Sequence, residues 1–171
     1  AGGVLVVLLP IQTGMLLAIL LSLTHGLRVV MRPPAIELFH VPGTTVWWSP
    51  VENTPYERVP GVVVVNPAAA INFINAQYLN DRLSEIVDAA PNPRLVVIEG
   101  SSILDLDFTG SANLQRAIER FRRRNIDVAL ARLINPKAQH SALRTGLIAC
   151  LGEDHTFRTV QEAVETLTRR Y

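Results

Sequence analysis

The sequence contains very little of several residue types that mark common classes of protein. Only one of its 171 residues, Cys150, is a cysteine, so an internal disulfide is excluded and the chain fits a reducing compartment. The formal net charge is +1, which provides no general electrostatic attraction for nucleic acid. We therefore expect one domain with a further segment attached, and no nucleic-acid partner.

The motifs of the commonest catalytic and cofactor sites are also missing. There is no P-loop, no G-x-G-x-x-G after a strand, and no G-x-S-x-G elbow. The four histidines are scattered without the spacing of metal ligands. We therefore expect no metal and no cofactor, and these absences favour a protein that is not an enzyme.

Residues 1–27 contain no charged side chain, and Arg28 is the first charged residue. Residues 15–30 are almost continuously apolar, and at about 1.5 Å per residue they extend about 24 Å, so crossing a bilayer needs their flanks. Pro10 and Gly14 predict a break before this run. Residues 4–9 resemble the cut end of another helix.

Three interpretations of this segment compete: a membrane helix, a buried core helix and a signal peptide. A signal peptide begins with positive charge, but here Arg28 and Arg32 follow the apolar run. A globular core helix usually keeps a polar face. A membrane helix is therefore favoured, with its arginine-bearing end in the cytoplasm. Because the chain begins with Ala1, we expect that it is not the natural start of the protein.

The remainder of the chain alternates short apolar runs with amphipathic stretches. Strands are predicted at residues 36–41 and 45–49 and in "GVVVVNP", "RLVVIEG" and "IDVALARL". Helices are predicted after the third and fourth strands of this series, after the fifth strand in "AQHSALRTGLIACLG", and at the C-terminus, where Thr159 and Glu162 have capping-box spacing. This alternation predicts an α/β layer with mostly parallel central strands. One of the adjacent Trp47 and Trp48 should face inward and the other outward.

Polar residues with chemical potential gather in "SSILDLDFTG", which joins a buried strand to a helix. We do not expect Asp105 and Asp107, two positions apart at this strand end, to act together as an acid–base pair. Asp107 or Thr109 can cap the helix that follows. The arginine-rich segment 116–125 lies near that helix's C-terminus, where positive charge complements the helix dipole without a partner; acidic lipid or a negatively charged partner is the alternative.

Six segments, in order along the chain, resemble the C-terminal part of the SulP family of inorganic anion transporters (sulfate permeases). They are "LLAILLSLTHGLRVVMRPP", "FHVPGTTVWW", "YERVPGVVVVNPAAAINFINAQYLNDRL", "RLVVIEGSSILDLDFTGSANLQRAI", "RRRNIDVALARL" and "LGEDHTFRTVQEAV". The resemblance implies that residues 1–33 end a transmembrane domain. It implies that residues 34–171 form a cytoplasmic STAS domain, an α/β fold with a small mixed β-sheet flanked by helices.

The resemblance also implies a function. The chain would be the regulatory and assembly domain of a secondary active transporter for sulfate, bicarbonate or a related anion, located in the cell membrane. The implied partners are the membrane domain of the same transporter, the lipid bilayer, a second copy in a homodimer, and a regulatory protein or nucleotide.

A second function follows from the turn itself. In STAS domains that act as anti-sigma-factor antagonists, this turn carries Asp-x-Ser/Thr-Gly, and its hydroxyl is phosphorylated by a partner kinase. "DFTG" matches with Asp107, Thr109 and Gly110, although "GSANLQRA" departs from that group. Three roles stay open: a structural cap, a regulatory or anion-binding surface at the helix N-terminus, and a phosphorylation switch at Thr109. A nucleotide-binding domain is a further alternative, because Thr109 opens a helix.

Overall fold

The computed structural model describes residues 11–50, 52 and 55–169, and it divides into two compact units at the boundary between Arg32 and Pro33. The first unit contains helix α1 (Ile11–Met31). The predicted helix end at residues 4–9 lies outside the described residues. The assignment of residues 1–33 to a transmembrane domain and of residues 34–171 to a cytoplasmic domain stays a prediction.

Helix α1 is longer than the apolar run at residues 15–30 predicted. It is described from Ile11 and continues through Gly14, so the predicted break at Gly14 is wrong, whereas Pro10 lies outside the described residues. Its 21 residues extend about 31 Å, close to the thickness of a hydrocarbon core. Among the described residues it is the one helix whose length and composition would allow it to cross a membrane. Gly14 is its only buried residue, so the described residues do not enclose it as they would a core helix.

The second unit is a six-stranded mixed sheet with helices on both faces. Its strands are β1 (Ala35–His40), β2 (Trp47–Trp48), β3 (Val62–Pro67), β4 (Leu95–Glu99), β5 (Asp127–Ala131) and β6 (Thr156–Phe157). Its helices are α2 (Ala76–Ala89), α3 (Phe108–Arg122), α4 (Pro136–Arg144), α5 (Leu147–Leu151) and α6 (Val160–Thr168), with a 3-10 turn at Glu153–His155.

The strand order is β2-β1-β3-β4-β5-β6. Strand β1 is antiparallel to β2 and β3, whereas β3, β4, β5 and β6 run parallel. The predicted parallel centre is therefore confirmed. It follows from the buried valine-rich strands, which are apolar on both faces because helices cover both.

Alternate residues of the central strands enter two separate cores. On one face Val63, Val96 and Val128 pack with α2, α3, α4 and α5. On the other face Val64 and Val97 pack with α6 and Trp47. Each strand contributes to both cores, since successive side chains point to opposite sides of the sheet.

Three local predictions are corrected by the structure. The predicted strand 45–49 is reduced to the pair Trp47–Trp48, paired with Phe39 and His40. The single helix predicted in "AQHSALRTGLIACLG" is two helices, because Gly146 adopts a left-handed conformation (φ 78°) that ends α4 before α5 begins. Strand β6 was not predicted, since it is two residues long and exists by pairing with β5.

Other local predictions are confirmed. Trp47 is buried and Trp48 is 59% exposed, as their alternation predicts. The hydroxyl of Thr159 accepts a hydrogen bond from the Glu162 N–H at 3.1 Å, as in a capping box. The returning bond is displaced by one residue, because the Glu162 carboxylate accepts from the N–H of Arg158 rather than from that of Thr159.

Candidate functional site

The turn between β4 and α3 is held by the carboxylate of Asp107. This residue is the N-cap of α3 and has an extended backbone (φ −83°, ψ 175°). Its Oδ1 accepts a hydrogen bond from the N–H of Gly110 at 2.6 Å, and its carbonyl accepts from the N–H of Ser111. The carboxylate therefore satisfies an N–H group that the helix itself leaves without a partner, and it complements the helix dipole.

The second oxygen of the same carboxylate ties the turn to the loop that follows β3. Asp107 Oδ2 accepts from the N–H of Phe73 at 2.8 Å. Beside this contact, Ile71 and Leu106 form a parallel bridge, in which Ile71 N–H donates to the Asp105 carbonyl and Asp107 N–H donates to the Ile71 carbonyl. Two loops at the carboxyl end of neighbouring parallel strands are thus joined into one surface.

Gly110 permits the close approach of these loops. A Cβ added to Gly110 would lie 2.5 Å from the carbonyl oxygen of Ile71, a distance that real Cβ atoms do not adopt. Glycine is therefore required here by the neighbouring backbone, rather than by its own dihedral angles.

Thr109 lies in the first turn of α3 and is exposed. Its hydroxyl has no hydrogen-bond partner in the described part of the chain, so Asp107 and not Thr109 makes the cap. The structure thus brings the three predicted residues Asp107, Thr109 and Gly110 together in one turn. The Asp107 carboxylate already occupies the N-cap with negative charge, while the Thr109 hydroxyl stays accessible.

Exposed apolar side chains lie near this turn in the chain, and they were not predicted from the sequence. Phe73 is 71% exposed and Phe108 is 76% exposed, and Leu104 and Ile74 are exposed beside them in the chain. Phe73, Ile74 and Leu104 belong to the two loops that Asp107 joins, and Phe108 is the first residue of α3. The signal that could have found them is a large apolar residue at a loop position directly beside a polar turn.

The other carboxylate of the turn has a separate partner. Asp105 Oδ2 accepts from Lys137 Nζ at 2.7 Å, and Lys137 belongs to α4. This hydrogen bond from the ammonium group lowers the pKa of Asp105 below its ordinary value. Asp105 and Asp107 thus bind different groups, consistent with the expectation that they do not form an acid–base pair.

A buried carboxylate lies at the carboxyl end of β4 and was not singled out from the sequence. Glu99 is 2% exposed. It accepts hydrogen bonds from the Asn66 side-chain amide and from the hydroxyl of Ser101, the latter at 2.9 Å, and its Oε1 is 3.5 Å from Arg132 Nε. A buried charge needs this many partners to offset its lost hydration.

The arginine-rich segment at the end of α3 has specific partners within the fold. Arg120 donates to Asn80 Oδ1 at 2.8 Å, and Arg124 pairs with Asp88 of α2 at 2.7 Å. Arg122 donates to the carbonyls of Cys150 and Leu151, both at 2.6 Å. Three arginines of this segment thus contact groups within the fold and link the end of α3 to α2 and α5.

The described residues contain no group of three or more His, Cys, Asp or Glu side chains placed to hold a metal ion. Two histidines instead bridge polar groups. His40 lies 2.6 Å from Glu57 Oε1 and 2.7 Å from the Thr44 carbonyl, and His155 lies between Asp154 and Asp127. These contacts hold loops beside β1 and β5.

Comparison with known proteins places this geometry in context. The model of the STAS-domain family matches residues 53–163. Sulfate transporter 1.3 of Arabidopsis thaliana is 29% identical over 170 residues, which cover 94% of this chain and 26% of that protein. A probable sulfate transporter of Mycobacterium tuberculosis is 32% identical over 158 residues, which cover 92% of this chain and 28% of the relative. The chain thus spans about a quarter of the length of these relatives.

Solved structures share the fold at low sequence identity. The structure of SLC26A9 superposes with a TM-score of 0.80 at 13% identity, covering 99% of this chain and 29% of that one. The STAS domain of a SulP transporter from Vibrio cholerae gives a TM-score of 0.55 at 15% identity and covers 67% of this chain and 86% of its own. An anti-sigma factor antagonist from Mycobacterium paratuberculosis gives 0.54 at 21% identity, with 66% and 90% covered. The resemblance in fold is confirmed by these likenesses.

Proposed function

Because this chain belongs to the STAS-domain family, we propose that it is the regulatory and assembly part of a secondary active anion transporter of the SulP type. In this proposal α1 is the last membrane helix, residues 34–171 lie in the cytoplasm, and the anion is sulfate, bicarbonate or a related ion. The transporter relatives also favour a role that is not enzymatic.

One observation carries the proposal. The STAS unit directly follows an apolar helix of 21 residues whose side chains are exposed, a combination that a membrane explains and that water does not. The SLC26A9 structure superposes on 99% of this chain, whereas the structure of the anti-sigma factor antagonist superposes on 66%.

The proposed partners follow from the same arrangement. They are the lipid bilayer around α1, the membrane domain of the same transporter, a second copy in a homodimer, and a regulatory protein or nucleotide. The surface formed by Asp107, Thr109 and the exposed Phe73 and Phe108 is the proposed regulatory surface, since it combines an accessible hydroxyl with unburied apolar area.

Transport by proteoliposomes tests the proposal. The intact transporter, a form lacking residues 34–171, and the present chain alone are reconstituted in equal amounts, and uptake of radioactive sulfate and bicarbonate is measured. We expect uptake by the intact protein, a strong loss in the truncated form at equal membrane abundance, and none for the present chain. Full uptake by the truncated form, or specific uptake by the present chain, would contradict the proposal.

A second candidate function is a phosphorylation switch of the antagonist type. The observation that favours it is the exposed Thr109 hydroxyl, for which the described residues provide no partner. Carbonate washing of cell membranes, followed by mass spectrometry of the protein, separates the two functions. A transporter domain stays in the membrane fraction. Recovery in the soluble fraction with phosphate on Thr109 would favour the switch.

A further inference from the structure

A cleft of about 410 Å³ lies beside β5 and β6, away from the turn at Asp107. We call it the β5–β6 cleft, and its apolar wall consists of Leu133, Ile134, Leu143, Ile148 and Phe157. Ile134 is 60% exposed and Leu143 is 66% exposed, so two large apolar side chains face solvent within one concave surface. Its volume falls within the range of small-molecule sites, about 300–1,000 Å³.

Two arginines line the same cleft, and none of the described residues lining it is acidic. Arg132 follows β5 in a left-handed conformation (φ 57°), and its N–H donates to the Phe157 carbonyl at 3.0 Å. The buried Glu99 approaches its Nε at 3.5 Å. The terminal nitrogens of Arg132 have no hydrogen-bond partner in the described structure, so the buried carboxylate holds the guanidinium from one side only.

Arg158 supplies the uncompensated charge. Its backbone N–H donates to Glu162 Oε2 at 3.1 Å, but its guanidinium has no partner among residues 11–50, 52 and 55–169. Glu162 lines a different cleft, together with Thr45 and Gln161. With Arg132 balanced by Glu99, the β5–β6 cleft therefore has an excess of about one positive charge.

We propose that the β5–β6 cleft binds a free organic anion with a compact apolar body and a single carboxylate or phosphate head group. The apolar body covers Ile134 and Leu143, and the head group accepts hydrogen bonds from Arg158 and from the terminal nitrogens of Arg132. Arginine forms strong paired hydrogen bonds with such groups, while an inorganic anion would leave the apolar wall uncovered. This site is independent of the proposed transport function, because no transported ion is required.

The test uses the full chain in phosphatidylcholine nanodiscs, and octanoate is the probe. Isoleucine δ1-methyl NMR reports occupancy at Ile134 and Ile148 in the cleft, with the core residue Ile118 as a reference. We expect saturable shifts at the two cleft residues and none at Ile118. Acetate, which lacks the apolar body, and octanol, which lacks the charge, should each bind at least about tenfold more weakly.

Substitutions test which arginine side chain binds the head group. Arg158→Gln should weaken octanoate binding about tenfold, because it removes a charge-assisted hydrogen bond without disturbing a buried partner. Arg123→Gln, which removes an exposed arginine of the C-terminal end of α3, is the matched control and should leave binding unchanged. Arg132→Gln is less suitable because it also leaves the buried Glu99 without its arginine.

Three results would overturn the proposal. One is the absence of saturable shifts at Ile134 and Ile148 up to about 10 mM octanoate, which corresponds to negligible affinity. Another is equal affinity for octanol, which would make the cleft an apolar surface without anion recognition. The third is unchanged octanoate affinity in Arg158→Gln while the Ile118 signal confirms that the variant is folded.

Discussion

At the scale of single residues, the candidate site depends on the close contacts of Asp107 and Gly110. Asp107 uses both oxygens, one for its own helix and one for the loop after β3. Gly110 lies directly against the Ile71 backbone. Thr109, between them in the chain, contributes no hydroxyl contact within the described residues. Neighbouring positions in one motif therefore have very different structural importance.

Gly110→Ala tests the close approach of the two loops. The added methyl group would overlap the Ile71 carbonyl, and relieving this overlap should cost about 1–3 kcal/mol of unfolding free energy. Chemical unfolding followed by tryptophan fluorescence measures the effect in the correct unit, because both tryptophans belong to it. Gly26→Ala, whose Cβ would meet nothing within 4 Å, lies in the other unit and should leave this transition unchanged. Equal stability of the Gly110 variant and the parent would refute the contact.

Asp107→Ala and Thr109→Ala separate the cap from the accessible hydroxyl. The aspartate change should destabilise the unit by about 1–2 kcal/mol, the typical cost of a lost N-cap. The threonine change should be close to neutral, as for a surface substitution. The same fluorescence-detected unfolding applies. A larger loss for Thr109→Ala than for Asp107→Ala would reverse the assignment of the cap.

At the scale of elements, polar contacts between helices fix their relative positions. Arg122 of α3 donates to the carbonyls of Cys150 and Leu151 at the C-terminal end of α5. Carbonyl groups at a helix C-terminus have no partner within the helix, so this guanidinium both caps α5 and joins it to α3. Helix α5 is five residues long and needs such external support.

Arg122→Ala should therefore destabilise the STAS unit by about 1 kcal/mol, which is below the usual range of about 1.5–3 kcal/mol for hydrogen bonds to charged groups because the residue is exposed. The adjacent Arg123→Ala is the matched control and should change stability by less than about 0.5 kcal/mol. Unfolding in urea measures both variants. Indistinguishable midpoints for the two would mean that the cap contributes nothing.

The pair of Asp105 and Lys137 joins the loop before α3 to α4, and its contribution should depend on pH. The pKa of Asp105 is lowered in the folded state, so its stabilisation is present above the ordinary value of 3.8 and is lost as pH falls through the folded value. We expect Lys137→Met to lower stability at pH 7 by no more than about 1 kcal/mol, since the pair is largely exposed.

The difference between the parent and Lys137→Met should vanish in acid. Unfolding free energies measured between pH 7 and pH 2.5 test this, and Asp105→Asn should remove the same pH-dependent difference. A difference that grows as the pH falls would have the wrong sign for this ion pair.

At the scale of the whole molecule, the two units have opposite surface chemistry. Helix α1 exposes a continuous set of apolar side chains, whereas the STAS unit encloses two apolar cores around one sheet. Exposed apolar area on this scale is unfavourable in water and favourable in a bilayer. The first unit is therefore compatible with the proposed membrane environment, and the second encloses its own core.

Leu21→Arg tests the membrane environment at the centre of α1. A charge at the centre of a spanning helix costs about 2.5–3.5 kcal/mol on insertion scales, so the fraction of chain inserted should fall about a hundredfold. Val29→Arg, close to Arg28 at the helix end, is the control and should be tolerated because the side chain can reach the interface. Glycosylation-site mapping in microsomes measures insertion. Equal insertion of both variants would contradict a spanning helix.

The sequence by itself determined the features that arise from short-range physics. An uninterrupted apolar run specifies a membrane-length helix, buried valine runs specify parallel strands, and an aspartate before a helix specifies a cap. These need only neighbours in the chain, which is why the order of elements and the turn at Asp107 could be predicted. The limits of α1 differed from the predicted apolar run 15–30, since the helix also includes the polar Gln12 and Thr13.

Only the tertiary structure decided which distant residues meet. Strand β6 exists through β5, Gly110 is required by Ile71, and Glu99 is buried among Asn66 and Arg132. The β5–β6 cleft likewise combines the segment after β5 with α4, α5 and the segment of β6. Contacts of this kind depend on how the sheet and helices pack in three dimensions, and no local pattern of residues encodes them.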